Sequence, residues 1–310
     1  MKKIAIAIHG GAGTLVQGMM TPEKENLYKV ALQSALQKGY WLLKSGVSAV
    51  EAVEASVKIL EDSHLFNAGK GSVFTSEGTH EMDASIMDGK TLNAGAVSLV
   101  SGIKNPICLA RDVMEKSDHV FLAAKGAMQF AKKLNYHLEN EDYFYDELRY
   151  QQWQEIRGTE NFKLDHSGNK DPKFGTVGAV ACDSLGNVAA ATSTGGMTNK
   201  QFGRVGDSPM IGAGNYANNK TCAVSCTGSG EYFIRGVIAY DLSCLMEYKN
   251  LSLQDAAEEV IHNRLLRIGG DGGLIAVDAR GNIAMPFNTE GMYRACKTSD
   301  DTEQISIYTN

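Results

Sequence analysis

Apolar and polar positions change rhythm in blocks along this chain. Residues 4–8 form an unbroken apolar run, as a buried strand does, leading into a glycine-rich stretch at 9–13 that predicts a turn. Thr21-Pro22-Glu23 predicts a helix start, with a capping threonine and proline at the first helical position. Behind it Leu27, Val30, Ala31, Leu36 and Tyr40 recur at helical spacing to about Lys44. Ser48, with Glu51 three residues on, reads as a capping box for a second helix ending near Leu60. Residues 82–87 and 92–99 read as strands joined by the hairpin signal Asp88-Gly89. Helices are expected near 105–116, 120–134 and 143–156. The composition then turns to glycine and short polar residues, and about 157–175 reads as a linker. Beyond it the pattern is β. VACDSLGNVAA and IAVDARGNIAM share an Asp-x-x-Gly-Asn turn whose glycine can take the left-handed position. Helices near 231–248 and 253–266, the second capped by Ser252, complete the chain. Strands and helices in blocks, not as alternating βαβ units, predict antiparallel sheets with helices outside them.

Composition narrows the function. A chain of 310 residues can bury a sizeable core. Its net charge of −6 argues against a nucleic-acid partner, because phosphate binding needs a basic surface. No apolar run has the length of a membrane helix, so no membrane role is expected. The apolar start reaches His9-Gly10-Gly11 too soon for a signal peptide, and is expected to be the first strand of a cytoplasmic protein. The six cysteines form no CxxC pair and are expected to be buried free thiols, as in a reducing compartment. No two histidines share a metal-ligating spacing, and His9-Gly10-Gly11-Ala12-Gly13 lacks the Lys-Ser/Thr ending of a phosphate loop.

The chemistry concentrates in Gly175-Thr176-Val177-Gly178-Ala179 and the threonine–glycine pairs that follow, Thr194-Gly195 and Thr227-Gly228. A mid-chain threonine has no base of its own. If the backbone is cut before Thr176, that residue carries a hydroxyl and an α-amine of pKa about 8 on one Cα, nucleophile and general base together. Gly175, lacking Cβ, permits strained backbone at such a junction. On residue chemistry alone Thr194 is simply a good strand residue, and Thr227-Gly228 a turn into a helix. Arg204 and Asp207 suit the α-carboxylate and α-amine of an amino acid, since the arginine fork binds both carboxylate oxygens. A surface ion pair is the plainer reading of the two.

The run from Thr176 through Ala217, with AVSCTGSGEYFIR, HGGAGTL, FNAGKGSVF, EMDASIMDG and PFNTEGMYRA, resembles the plant-type asparaginases and isoaspartyl peptidases, which are N-terminal-nucleophile hydrolases. The likeness covers nearly the whole chain except about 135–174. It implies one α/β domain over 1–310, a four-layer αββα sandwich, with Thr176 starting a central strand. It implies autocleavage at Gly175-Thr176 into an α-subunit, 1–175, and a β-subunit, 176–310, the glycine-rich turn after His9 aiding the cut. By position, Thr176 is the nucleophile, Thr194 a second threonine bonded to the nucleophile region, and Thr227 with Gly228 the oxyanion hole. Arg204 and Asp207 bind the substrate's carboxylate and ammonium, Gly230 supplies a carbonyl to that ammonium, and Asn67 braces the nucleophile. No organic cofactor is implied. A structural sodium ion is, held by main-chain carbonyls of Leu60, Glu61, Ser63, Phe66, Ala68 and Lys70, which leaves the Glu61 and Ser63 side chains free to vary. The implied activity removes β-aspartyl groups from isoaspartyl dipeptides and L-asparagine, in a homodimer of processed protomers. A glycosylasparaginase, an endopeptidase of the same superfamily and a non-enzymatic binding module are the alternatives.

Overall fold

The computed structural model describes residues 3–158, 175–300 and 302–309. The linker read at 157–175 lies mostly outside them. In chain order the elements are β1 (Ala5–Gly13), α1 (Pro22–Lys44), α2 (Ala49–Glu61), β2 (Met82–Asp88), β3 (Ala94–Val100), α3 (Pro106–Lys116), β4 (Phe121–Ala123) and α4 (Ala124–Lys133). Next come α5 (Glu141–Phe144), α6 (Glu147–Ile156), β5 (Val177–Cys182), β6 (Val188–Thr194), β7 (Asn215–Ala217) and β8 (Cys222–Gly228). The chain ends with α7 (Gly230–Gly236), α8 (Ile238–Lys249), α9 (Leu253–Glu258), β9 (Gly272–Asp278), β10 (Ile283–Ala284), β11 (Gly291–Thr298) and β12 (Glu303–Tyr308).

Eight strands form one sheet in the order β12-β11-β1-β5-β6-β2-β3-β4, and four form a second, β10-β9-β8-β7. Every pairing is antiparallel except β3 with β4. Side-chain alternation sorts the apolar residues into three layers. Ile6, Ile8, Val177, Ala179 and Ala191 face outward against α1, α2 and α3. Ala5, Ala7, Val180, Val188, Ala190, Ala223 and Ile275 fill the space between the sheets, where small residues let them approach. Cys222, Val224, Cys226 and Leu274 pack under α8 and α9. Helix, sheet, sheet and helix are therefore stacked in the expected αββα order.

Several local expectations change. The glycines at 9–13 do not end β1, which keeps pairing with β11 across a bulge between His9 and Gly11. The buried stripe of α1 is Tyr28, Leu32, Ala35, Leu36, Gly39, Tyr40 and Leu43. Leu27 and Val30 face solvent instead. The sequence offers two apolar stripes there, and the one holding Gly39 wins because a Cβ at 39 would lie 2.3 Å from both Ile6 and Ser56, where β1 and α2 come closest. The 82–87 hairpin turns over five residues, with Leu92 as its left-handed position (φ 61°) and the Asp88 carboxylate holding the Lys90 N–H and the Thr91 hydroxyl. The segment at 120–134 first adds β4 beside β3 and becomes helical only at Ala124. Asp146 caps a separate helix within 143–156, and a left-handed Val237 divides 231–248. The Asp-x-x-Gly-Asn turns form as expected, with Gly186 at φ 82° and Gly281 at φ 78°. Ser48 and Ser252 cap their helices. None of the six cysteines is in a disulfide; four are buried as expected, and Cys108 and Cys244 are only half-buried. No described helix is long and apolar enough to cross a membrane.

Candidate active site

The alternation that puts alanine and valine between the sheets at one end puts polar residues there at the other. His9 on β1 lies opposite Gly178 on β5, Gly178 opposite Thr192 on β6, and Thr192 opposite Ser85 on β2. One step further along, Thr194 lies opposite Asp83. Ser225 and Thr227 of β8 share the parity of Ala223 and face this row from the second sheet. Thr176, two residues before Gly178, stands at the mouth of the polar end, just ahead of the central strand β5.

The Thr176 hydroxyl is buried and lies 3.2 Å from the Ser208 hydroxyl, while its carbonyl accepts the His9 Nδ1 proton at 3.0 Å. Gly175 is held between β1 and β8. A Cβ there would meet Thr227 Oγ1 at 2.6 Å and Gly11 Cα at 2.9 Å. Gly11 sits at φ +117°, and a Cβ on it would meet the Gly175 nitrogen at 2.6 Å. Thr227 Oγ1 accepts the Ala12 N–H at 3.3 Å, so β1, the Gly175–Thr176 junction and β8 meet at one point. Gly228 (φ +150°) packs on the Gly272 backbone, where any side chain would collide. Only glycine fits these contacts.

Arg204, Asp207 and Gly230 come together as well. A Cβ on Gly230 would lie 2.8 Å from Asp207 Oδ1 and 3.0 Å from Arg204 Nη2. The arginine already has a protein partner, because Glu231 accepts from Nε at 2.8 Å and Nη2 at 2.9 Å. That uses one edge of the guanidinium and leaves the Nη1/Nη2 end for a second carboxylate. Asp207 Oδ2 is buried without a hydrogen-bond partner. Burial pushes its carboxyl up to about 7, against the pull of Arg204. A buried acceptor beside an arginine end is suited to an incoming ammonium group.

Thr194 and Asn67 both bond to the turn after β6. Thr194 Oγ1 accepts the Gly196 N–H at 3.0 Å, and Asn67 Nδ2 donates to the Gly196 carbonyl at 2.7 Å. Both fix the turn after β6, and Asn67 Oδ1 also accepts the Val73 N–H. In the loop 60–70, main-chain oxygens of Glu61, Phe66 and His64 lie against Gly69 and Gly71. A Cβ on Gly69 would meet Glu61 O at 2.4 Å, and one on Gly71 would meet Phe66 O at 2.0 Å and His64 O at 2.8 Å. Main-chain carbonyls are the donor type a hard cation takes. No group of His, Cys, Asp or Glu side chains suited to a metal occurs among the described residues. The expectation that the Glu61 side chain is free to vary is overturned. Glu61 is fully buried, and its Oε1 accepts from Ser193 Oγ at 2.6 Å and the Ile107 N–H at 3.0 Å. It joins the loop to β6 and to the start of α3. Lys70 extends over the Tyr143 ring, 5.3 Å from its centre.

Sequence reasoning passed over Ser208 and Glu231, and gave no hydrogen-bonding role to the set His9, Ser225 and Thr192. Strand parity carried a signal for the last three, since each continues the inter-sheet face of its strand.

Two largely antiparallel sheets between helical layers, with a Gly–Thr junction heading a central strand, are the arrangement of N-terminal-nucleophile hydrolases. The chain belongs to the asparaginase family Asparaginase_2, matching it over residues 2–307. It is 52% identical to an isoaspartyl peptidase of Salmonella typhimurium over 311 residues, 99% of each chain. It is 51% identical to an isoaspartyl peptidase of Escherichia coli, over 99% of this chain and 97% of that one. A plant-type L-asparaginase of Pyrococcus abyssi is 44% identical, over 93% of this chain and 94% of its own.

Proposed function

We propose that this protein is an autoprocessed threonine hydrolase that cleaves β-aspartyl dipeptides and L-asparagine, releasing L-aspartate and an amino acid or ammonia. One observation carries the reading: the Gly175–Thr176 junction lies against Thr227 while Arg204, Asp207 and Gly230 form a single cluster. Full-length similarity to isoaspartyl peptidases supports it.

In processing, Thr176 Oγ attacks the Gly175 carbonyl and the C–N bond breaks, giving an ester and a free α-amine. Water then opens the ester, leaving a Gly175 carboxylate and the restored hydroxyl. In hydrolysis the α-amine takes the hydroxyl proton as Oγ attacks the substrate's side-chain carbonyl, and returns it to the departing amine. Water releases aspartate from the second ester. Thr227 and Gly228 stabilise the oxyanion, the Nη1/Nη2 end of Arg204 binds the α-carboxylate, and Asp207 with Gly230 binds the ammonium. Thr194 and Asn67 act by holding the turn at Gly195-Gly196. Main-chain oxygens of Leu60, Glu61, Ser63, Phe66, Ala68 and Lys70 would hold a sodium ion, whose contribution would be structural. We read the mature enzyme as a cytoplasmic homodimer of cut protomers.

The test is intact mass and turnover. Wild type resolves into two fragments cut between 175 and 176, Thr176→Ala stays whole and inactive, and Thr176→Ser keeps part of both activities because it retains the hydroxyl and amine. Turnover of β-aspartyl dipeptides by the alanine variant would remove Thr176 from the mechanism.

A further inference from the structure

We propose that His9 is a positioning residue: a one-directional chain of hydrogen bonds, Asn215 to Thr192 to Ser225 to His9, ends on the Thr176 carbonyl and fixes the nucleophile's backbone once the bond before it is cut. The inference rests on Thr176 being the nucleophile.

The direction follows from what each atom can do. A carbonyl oxygen only accepts, so the proton of the 3.0 Å contact belongs to His9 Nδ1. The ring is completely buried, and burial pulls its pKa down to about 3, so it is neutral and Nε2 is bare. Nε2 must then accept from Ser225 Oγ, 2.8 Å away. This uses the only hydrogen of Ser225. Its 2.8 Å contact with Thr192 Oγ1 must therefore be donated by Thr192. Thr192 Oγ1 in turn accepts from Asn215 Nδ2 at 3.1 Å. The Gly214 carbonyl, at 3.3 Å, is the longer competitor for the Thr192 hydrogen. Links pointing one way polarise each other and strengthen the last bond.

Gly178 gives an independent sign that this chain is built in. A Cβ at 178 would lie 2.4 Å from His9 Nε2 and 2.0 Å from Ser225 Oγ, so the central strand lacks a side chain where the ring and the hydroxyl meet. The polar groups come from both sheets and have no path to solvent, since His9, Thr192, Asn215 and Ser225 are all buried.

The consequence concerns the position of the Thr176 Cα and of its Cα–C axis. In the uncut chain Thr176 is tethered on both sides. After cleavage the nitrogen side is free, and the hydroxyl and amine both ride on a Cα held through its carbonyl. A held carbonyl fixes the position of Cα and the axis about which the amine and hydroxyl turn, so a shift of the carbonyl carries both groups with it, and a displacement near 1 Å costs on the order of 100-fold in rate.

The test separates the two ends of the imidazole. An asparagine amide places its nitrogen where Nδ1 lies, whereas a glutamine amide reaches the Nε2 position. His9→Asn keeps the bond to Thr176 and should retain most of kcat. His9→Gln should lose on the order of 10- to 100-fold in kcat with KM within threefold. Both are measured per cleaved chain by intact mass, beside their melting temperatures. In wild type, 15N NMR of the His9 ring should place the proton on Nδ1, a readout that needs neither variant to fold. Equal kcat in the two variants, or a proton on Nε2, overturns the proposal. Wild type that neither cuts nor hydrolyses would instead remove the functional reading, and the NMR result would stand apart from it.

Discussion

Asp207 carries a charge that depends on pH in the physiological range, and its sign sets a testable trend. With its carboxyl raised to about 7 by burial, it is neutral below that pH and ionised above it. Only the ionised form attracts an ammonium group. Inhibition by L-aspartate should therefore weaken as pH falls from 8.5 to 5.5, with a step near 7. Asp207→Asn should bind weakly throughout, with no step. An inhibition constant that stays flat for wild type would take Asp207 out of the ammonium site. The linkage runs the other way for the ligand-free fold. A carboxyl raised from its unfolded value near 4 holds an extra proton when folded, so stability falls as pH rises from about 4 to about 7, at up to roughly 1.4 kcal/mol per pH unit. Bound aspartate should therefore raise the melting temperature more at pH 8 than at pH 6. At this scale Thr176 was legible in residue chemistry, and the other proposed site positions only through the family resemblance. Glu231 was not, because a carboxylate one position after Gly230 looks like an ordinary helix-start residue until the fold brings Arg204 to it.

Among the elements, the loop after α2 behaves differently from a purely main-chain ion site. Glu61→Ala removes the acceptor for the Ile107 N–H and the Ser193 hydroxyl, both buried. Each orphaned donor costs about 1–3 kcal/mol, and Ser193 adjoins Thr194, so kcat should fall together with the melting temperature. Glu61→Gln keeps the oxygen at that position and should be much milder. Ser63→Ala should be nearly silent, since its hydroxyl accepts only the Leu65 N–H at 3.3 Å in a half-exposed turn. Paired melting and turnover curves decide, and an alanine at 61 tolerated as well as glutamine would refute the bracing role. Strand and cap signals were readable because they are local: Thr21, Ser48, Ser252, Gly186 and Gly281 each act within a few residues. The β1 glycines and the α1 stripe were misread for one reason. Gly10 admits the Phe66 ring and Gly39 admits Ile6 and Ser56, so partners far away in sequence decide what those glycines do.

For the whole molecule, the strand order dictates how a cut chain stays together. In the large sheet β12 and β11 come from the part after Thr176, β1 from the part before it, β5 and β6 again from after, and β2, β3 and β4 from before. The two parts interleave at three pairings, β11 with β1, β1 with β5, and β6 with β2. Separating them means unzipping a buried sheet at every one of these. Cleavage should therefore leave a single species on a sizing column while a denaturing gel shows two fragments. Unfolding, however, changes in kind. Uncut, the chain unfolds to one molecule; cut, each protomer unfolds to two, and mass action then favours the folded form at higher concentration. The melting temperature of the processed protein should rise with protein concentration more steeply than that of Thr176→Ala, whatever dependence subunit association adds to both. The comparison needs only a dilution series of the two proteins, each checked by intact mass. Identical slopes, with the wild type fully cut, would mean that the fragments do not part on melting and that the interleaved sheet is not what holds them.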